Sequence, residues 1–359
     1  MFAINLKKSF NFKNIAPISR IQVSKYSKIL ENRPAIVFDI DGVLGDTVLE
    51  KGVKALKYLN GENPLNIKFP YIFMTNSGGL TEEQKANEIT QKMGVQVNPN
   101  QIVLSHSPMR QLVNKYRNDN VLVIGGVNDR CAEIAKDYGF LNAISPSKIH
   151  KSQPNLWIFS KTDKSVKENV DILSKKFSAI FMFHDSYDYG RDLQISMDIL
   201  RSKDAILNNK YCESKTQSVP VYFSNQDYLF SNESVNPRFA QGAFHESLKA
   251  LWKKSTNSEL KYNVFGKPHK VQYDYAEQLL KSLSDSASSI NNKNQSNIYA
   301  IGDNPYSDIA GANSYGWNSV LVCTGVYQGS PGVNHSIHKA SNVTSDVYEA
   351  VKWIVESNL

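Results

Sequence analysis

Two aspartates stand one residue apart directly after an apolar segment, in Ala35-Ile-Val-Phe-Asp39-Ile-Asp41-Gly42. Side chains at i and i+2 of an extended chain emerge on the same side, so the two carboxylates lie on the same side of the chain. Two such charges repel each other unless a hard cation such as Mg²⁺ lies between them or one binds a proton. The pair is compatible with a site for chemistry and also with a loop cap at the end of a strand.

Three more polar stretches follow in chain order, each after an apolar segment or before a helical one: Thr75-Asn76, Gly266-Lys267-Pro268, and Gly302-Asp303-Asn304 with Asp308. Phosphoryl transfer requires a nucleophile, a group that neutralises phosphate oxygens, a metal, and an acid for the leaving group. Thr75 alone is compatible with a helix cap, and Lys267 alone with a solvated loop lysine. Together, and in this order, the stretches indicate a phosphoryl-transfer site.

The elements that position these residues alternate between strand and helix. Ala35–Phe38 and Phe69–Met74 are buried-strand patterns, and Lys51–Leu59 has helical apolar spacing. The same alternation continues to the end of the chain. It predicts a doubly wound parallel α/β sheet, with the polar groups at its carboxyl edge. Asn155–Phe159 is predicted as a strand, and Val219–Phe223 as a strand near a sheet edge because it contains a proline.

Charge and hydropathy exclude two classes of function. The 359-residue chain has a formal charge of +7, but residues 1–30 hold six basic residues and no acid, so the remainder is near neutral. A nucleic-acid-binding face is therefore not expected. No apolar run approaches the roughly 18 residues that a membrane-spanning helix needs. Cys131, Cys212 and Cys323 are too widely separated to suggest a disulfide framework or a zinc site.

The composition of residues 1–30 is typical of a mitochondrial transit peptide, because the segment is basic, free of acids and mildly amphipathic. A disordered basic arm is the alternative. Residues 282–297 are rich in serine and asparagine and are predicted to be a solvated loop.

The catalytic stretches resemble the haloacid dehalogenase-like (HAD) superfamily, and more closely its class IIA branch of phosphatase-like enzymes. Within that branch the chain is most similar to the cat-eye-syndrome-critical-region-type hydrolases, which are usually mitochondrial in eukaryotes. Stretches that carry this likeness include Leu104–Met109, Phe183–Asp188, Val221–Asn225, Pro237–Phe244 and Thr324–Tyr327. The resemblance covers roughly residues 33–359. It implies a mitochondrial, matrix-located Mg²⁺-dependent phosphatase acting on a small phosphorylated metabolite.

The resemblance also implies a role for each matching residue. Asp39 would be the nucleophile, forming an aspartyl phosphate, and Asp41 the general acid and then base. Thr75, Asn76 and Lys267 would bind the phosphoryl group. Mg²⁺ would be held by Asp39, by the backbone carbonyl of Asp41 and by Asp303. Asp308 and Asn304 would support the metal from a second layer.

The resemblance divides the chain into a leader (1–30), a Rossmann-like core (33–105 with 238–359) and an inserted α/β cap (106–237). His106, His184, Asp185 and Asp188 are the cap residues expected to face the site. The segment Gly45-Asp46-Thr47 departs from the family pattern near the mouth of the site. The competing hypothesis is an accessory subunit of a larger mitochondrial complex with little or no turnover. A homo-oligomer is equally compatible with the sequence.

Overall fold

The computed structural model describes residues 33–44, 49–160, 170–212, 215–230, 234, 236–283 and 297–358. The predicted leader, the segment Gly45–Thr47 and most of the predicted loop at 282–297 lie outside the described residues. Within the described ranges the strands are β1 Ala35–Phe38, β2 Tyr71–Met74, β3 Ile102–Val103, β4 Asn120–Ile124, β5 Asn142–Ile144, β6 Phe177–Met182, β7 Val221–Phe223, β8 Leu229–Phe230, β9 Arg238–Phe239, β10 Tyr262–Val264, β11 Ile298–Gly302, β12 Asn318–Val322 and β13 Asn342–Thr344.

The α-helices of the same ranges alternate with these strands. They are α1 Leu49–Leu59, α2 Glu82–Met93, α3 Val113–Tyr116, α4 Cys131–Tyr138, α5 Pro146–Ser152, α6 Tyr189–Arg201, α7 Gln241–Thr256, α8 Lys270–Leu283, α9 Ala310–Tyr315 and α10 Val347–Ser357. Thr81 caps α2, because its hydroxyl accepts from Gln84 N while the Gln84 side chain accepts from Thr81 N. No helix in the described part of the chain is long and apolar enough to cross a membrane.

The first sheet has six parallel strands in the order β13-β12-β11-β1-β2-β3. One face packs against α1, α2 and α10 through residues such as Phe38 and Ile354, and the other against α8 and α9 through residues such as Ile72 and Tyr273. A parallel sheet covered on both faces requires strands that are apolar on both sides, and all four residues of β1 are buried. The prediction of a doubly wound α/β fold is confirmed.

A second parallel sheet, in the order β10-β7-β6-β4-β5, is formed from residues that lie between β3 and β11 in the chain. Its faces are covered by α5, α6 and α7 on one side and by α4 with residues 109–116 on the other. The residues between β3 and β11 therefore form a second α/β unit, inserted in the chain of the first. We call it the second unit.

The predicted end of the inserted unit at residue 237 is wrong. Helix α7 contributes Phe244, Leu248 and Trp252 to the core of the second sheet, and β10 pairs in parallel with β7. The apolar pattern of residues 241–264 is that of any α/β segment, so it did not show which sheet the segment joins.

Two local predictions are also wrong. Pro220 immediately precedes β7, and β7 lies between β10 and β6 rather than at an edge. The Pro220 carbonyl accepts from Ile180 N at 3.0 Å. Pro220 therefore takes part in the hydrogen bonding of the sheet as an acceptor, although it has no N–H to donate. The segment Asn155–Phe159 is not a strand, and its first two residues belong to a 3₁₀ turn, Pro154–Leu156.

Candidate active site

The predicted chemical residues meet at the carboxyl edge of the first sheet. Asp39 follows β1, Thr75 follows β2 and Asp303 follows β11, and these three strands are neighbours in the order β11-β1-β2. Because parallel strands end at the same edge, their terminal side chains converge. Lys267 enters from the loop between β10 and α8, and Asp308 from a turn at Pro305–Ile309.

Lys267 lies between two carboxylates at the centre of the site. Its Nζ donates to Asp39 Oδ1 at 2.6 Å and to Asp308 Oδ1 at 2.6 Å, and all three side chains are buried. Burial alone would lower the pKa of Lys267, but the charges of Asp308 and Asp39 outweigh it and raise that pKa well above its ordinary value. The lysine is therefore held as a cation.

Asp39 is a carboxylate whose surroundings oppose its charge. Burial raises the pKa of Asp39 well above its ordinary value; Lys267 opposes this rise, whereas Asp308 and Asp303 add to it. Burial also raises the pKa of Asp303 to about 6. An added cation at this place would favour the ionised form of both groups.

Two glycines allow the backbone to approach Asp303 closely. A Cβ atom would lie 2.4 Å from Asp303 Oδ2 if built on Gly42 and 1.9 Å from the same oxygen if built on Gly325. That oxygen also accepts from Val326 N at 2.5 Å. The two loops therefore fix the Asp303 carboxylate, and side chains on either glycine would displace it.

The donor set fits a hard divalent cation. Carboxylate oxygens of Asp39, Asp303 and Asp308 lie within 4.8 Å of one another. Three carboxylates face one lysine, which leaves excess negative charge, and oxygen-only ligands suit Mg²⁺. Asp308, predicted to support the metal, belongs to this set, and Asn304 N donates to Asp308 Oδ2 at 3.0 Å.

The Asp41 side chain is outside this set. It is exposed, and its Oδ2 accepts from Thr75 Oγ1 at 3.4 Å. The buried Thr75 hydroxyl also accepts from Ser77 N at 2.9 Å. Asp41 and Thr75 therefore stand together at the open side of the carboxylate set.

Asn76 holds the lysine loop by its side chain. Its Oδ1 accepts from Lys267 N at 2.7 Å, and its Nδ2 donates to Lys267 O at 3.0 Å. Asn225, from the second unit, donates to Asn76 O at 2.9 Å. Sequence reasoning assigned Asn76 to phosphate binding and gave no sign of this contact, because Asn76 and Lys267 are far apart in the chain.

A cleft of about 840 Å³ opens over these residues and is lined by both units. Of the residues predicted to face it from the second unit, His184 and Asp185 do so. His106 is buried beside it, where its Nδ1 lies 2.8 Å from Tyr138 Oη, and Asp188 caps α6 by accepting from Arg191 N.

Other side chains of the second unit line the cleft and were not predicted. They include Asn225 and Asp227, and the residues of the β8–β9 hairpin, Leu229, Phe230, Arg238 and Phe239. Burial raises the pKa of Asp227, while Asn76 and Lys267 oppose that rise. Among the described residues, Arg238 lines the cleft as a basic side chain in addition to Lys267. These residues occupy short irregular segments that carry no periodic signal.

The chain has clear similarity to known hydrolases. Residues 36–141 match the model of the haloacid dehalogenase-like hydrolases, and residues 264–350 match a HAD-hydrolase-like model. A mitochondrial hydrolase of Saccharomyces cerevisiae is 34% identical over 92% of this chain and 98% of its own length. A cardiolipin synthase (CMP-forming)/mitochondrial hydrolase fusion protein of Schizosaccharomyces pombe is 34% identical over 89% of this chain, which spans about half (52%) of that protein.

The fold is found in solved structures. A p-nitrophenyl phosphatase from Archaeoglobus fulgidus superposes with a TM-score of 0.58 at 17% identity, over 90% of this chain and 99% of that one. The likeness extends over both units, as the sequence resemblance implied. The matched models and the yeast relative, together with the converging carboxylates and lysine, show that this chain belongs to the haloacid dehalogenase-like hydrolases.

Proposed function

We propose that the chain is a Mg²⁺-dependent phosphatase that transfers the phosphoryl group of a small phosphorylated metabolite to water. The observation that carries the proposal is the buried Lys267 ammonium, 2.6 Å from both Asp39 and Asp308. A cation held there can neutralise phosphoryl oxygens beside a carboxylate nucleophile. Proteins of the same fold named as nitrophenyl phosphatases support this chemistry.

In the first half-reaction an Asp39 carboxylate oxygen attacks phosphorus, and the bond from phosphorus to the ester oxygen breaks. Asp41, exposed at the mouth of the site, gives its proton to the departing oxygen, so the alcohol leaves neutral. The Thr75 hydroxyl and the Lys267 ammonium hydrogen-bond to the phosphoryl oxygens as their charge develops. The products are an aspartyl phosphate on Asp39 and the free alcohol.

In the second half-reaction Asp41 is a carboxylate and acts as a base. It accepts a proton from a water molecule, the water oxygen attacks phosphorus, and the bond to Asp39 breaks. Orthophosphate leaves, Asp39 is again a carboxylate and Asp41 is again protonated. The second unit contributes side chains such as Asn225 and Asp227 to the lining of the cleft in which this water molecule would bind.

The residues that would hold Mg²⁺ are Asp39, Asp303 and Asp308, with the Asp41 carbonyl as the further ligand implied by the family resemblance. The bound ion supplies positive charge beside the phosphoryl oxygens. Asn304 and Lys267 orient Asp308 by hydrogen bonds to its two carboxylate oxygens. The charge of the carboxylate set and its oxygen donors support this assignment.

We assign the protein to mitochondria, and there to the matrix. The basic, acid-free residues 1–30 support this location, as do two relatives named mitochondrial hydrolases. Import of the labelled full chain into isolated mitochondria, followed by protease treatment of mitoplasts, tests it. Chain that is digested in intact mitochondria or in mitoplasts would contradict the matrix assignment.

The activity is tested by hydrolysis of p-nitrophenyl phosphate with the purified chain, with and without Mg²⁺. We expect metal-dependent turnover that Asp39→Asn abolishes. Asp119→Asn is the matched control, because Asp119 is an exposed aspartate outside the cleft lining. A ³²P-labelled phosphate ester should label wild-type protein but not Asp39→Asn.

Absence of turnover with any phosphate monoester, in a protein that is folded by circular dichroism, would refute the phosphatase proposal. The accessory-subunit hypothesis would then be favoured. It predicts that the chain elutes from a sizing column of mitochondrial extract in a stable assembly with other proteins.

A further inference from the structure

We propose, resting on the phosphatase function above, that the preferred substrate is a phosphate monoester of an alcohol with an apolar chain. The chain would bind to an apolar lip of the cleft. This lip consists of Tyr187, Leu229, Phe230 and Phe239, all in the second unit. The proposal concerns the alcohol part of the substrate, which none of the catalytic residues selects.

The side chains of the lip are large and apolar, yet they are exposed to solvent. The exposed fractions are 63% for Tyr187, 46% for Leu229, 44% for Phe230 and 66% for Phe239. Large apolar side chains that remain grouped and exposed mark binding sites on soluble proteins. The hairpin places Leu229 directly opposite Phe239, so the two side chains form one surface.

The lip is preformed. The ring of Phe239 packs edge-on against that of Tyr228, with ring centroids 5.6 Å apart. The hairpin is joined to α7 by hydrogen bonds from Ala240 N to Tyr228 O and from Gly242 N to Asp227 O. Gly242 permits this contact, because a Cβ built there would lie 2.4 Å from Gln226 O. A ligand would therefore meet an ordered surface.

The lip and the catalytic carboxylates belong to one cavity. The same cleft of about 840 Å³ is lined by Asp39 and Asp303 of the first unit and by Leu229, Phe230 and Phe239 of the second. Clefts of about 300–1,000 Å³ accommodate whole small-molecule ligands, far more than one phosphoryl group. An occupant that extends from the carboxylates to the hairpin must therefore be the alcohol part of the ester.

The charged and uncharged residues of the cleft lining favour different chemical groups of a substrate. Asp185 and Asp227 face the cleft from the second unit, and they repel a second anionic group but accept hydrogen bonds from hydroxyls. The lip carries no charge, and it can exclude water only from apolar groups. Arg238, opposite Phe230 in the hairpin, is a basic residue of the same lining. Apart from Arg238, the hairpin and the two aspartates favour an uncharged, apolar-chained alcohol.

The test uses ethyl, butyl, hexyl and octyl phosphate at concentrations where all are monomeric. The reacting ester is the same in each, so only contacts of the chain differ. A fully buried methylene group contributes up to about fourfold in kcat/KM, and for a half-exposed lip we expect about twofold per methylene. Octyl phosphate has six more methylene groups than ethyl phosphate, so its kcat/KM should be about 60-fold higher in the wild type.

Leu229→Ala and Phe239→Ala should reduce this octyl-to-ethyl ratio by about threefold or more each. Leu251→Ala is the matched control, because Leu251 is 43% exposed, close to Leu229, but does not line the cleft. It should keep the wild-type ratio. Phe159→Ala serves the same purpose for Phe239, since Phe159 is 78% exposed and outside the lining.

A ratio near one in an active wild-type enzyme would overturn the proposal while leaving the phosphatase function intact. So would equal ratios in Leu229→Ala and Leu251→Ala. If the lip variants lose binding to anionic phospholipid vesicles but keep the wild-type ratio, the lip is a membrane contact and the proposal is wrong. Absence of turnover for every ester, p-nitrophenyl phosphate included, would instead refute the phosphatase function itself.

Discussion

Asn76 and Lys267 are joined by two hydrogen bonds that run in opposite directions. The Asn76 side chain accepts from Lys267 N at 2.7 Å and donates to Lys267 O at 3.0 Å. An amide that satisfies both groups of one residue fixes the position of that backbone. Because the lysine ammonium must reach Asp39 and Asp308 together, Asn76 acts on the chemistry through Lys267.

We expect Asn76→Ala to lower kcat for p-nitrophenyl phosphate by about 10- to 100-fold, since two buried polar groups lose their partner and the lysine loop shifts. A double-mutant cycle separates positioning from general damage: in a Lys267→Met background, Asn76→Ala should have little further effect on kcat. Asn63→Ala is the control, because the Asn63 side chain also donates to two backbone carbonyls, far from the cleft. It should lower the melting temperature without lowering kcat. Additive losses in the cycle would contradict the positioning role.

Lys267 also contributes to stability, because it separates the charges of Asp39 and Asp308. In the absence of Mg²⁺, Lys267→Met should destabilise the fold by about 3–5 kcal/mol, the usual effect of removing one partner of a buried ion pair. Part of that loss should return when Mg²⁺ is added, since a cation again offsets the carboxylates. Chemical denaturation with and without Mg²⁺ measures both effects.

The control for this prediction is Lys270→Met. Lys270 Nζ lies 2.6 Å from Asp274, the same distance as in the buried pair, but the lysine side chain is 76% exposed. Its removal should cost less than about 1 kcal/mol and should not depend on Mg²⁺. Equal losses of unfolding free energy in the two lysine variants would show that the buried ion pair contributes no more to stability than the exposed one.

Mg²⁺ binding should be visible without any substrate. At a concentration 100 times its dissociation constant, a single bound ion stabilises the folded state by about 2.7 kcal/mol, and the melting temperature rises accordingly. Asp303→Asn should remove most of this shift, because it takes one charge from the carboxylate set. Asp119→Asn should keep it. A full Mg²⁺-dependent shift in Asp303→Asn would place the ion elsewhere.

The sequence predicted the parts of the fold and site that depend on local patterns. The apolar run of β1 and the polar residues that follow it predicted both a buried parallel strand and the position of Asp39. The contact between Asn76 and Lys267, and the membership of α7 in the second sheet, depend instead on which distant segments meet. The charge and hydropathy of residues 241–264 are compatible with membership of either sheet. They could therefore not show that the predicted boundary at residue 237 was wrong.

The hairpin that carries Phe230 and Arg238 shows a second limit. Each of its strands has two residues, which is too short for an alternating pattern to be recognised. Conversely, His106 and His184 were treated alike from the sequence, yet only His184 lines the cleft. The difference arises because His106 stacks on Phe183, with ring centroids 5.0 Å apart, in the core of the second unit.

That buried position of His106 makes the stability of the fold depend on pH. Burial lowers the pKa of His106 from 6.5 to about 4, against a partial opposing effect of Glu82. Between these values the unfolded chain binds a proton that the folded chain does not, so this residue lowers stability as the pH falls below 6.5. From pH 7 to pH 5 the loss should be about 2 kcal/mol.

His106→Phe keeps the stacking on Phe183 but cannot bind a proton. Between pH 7 and pH 5, the unfolding free energy of the variant should therefore decrease by about 2 kcal/mol less than that of the wild type. Urea denaturation at several pH values measures the two curves. His245, whose pKa burial lowers to about 4, is present in both proteins, and its contribution cancels in the comparison. Parallel curves for wild type and variant would mean that His106 becomes protonated in the folded state as readily as in the unfolded chain.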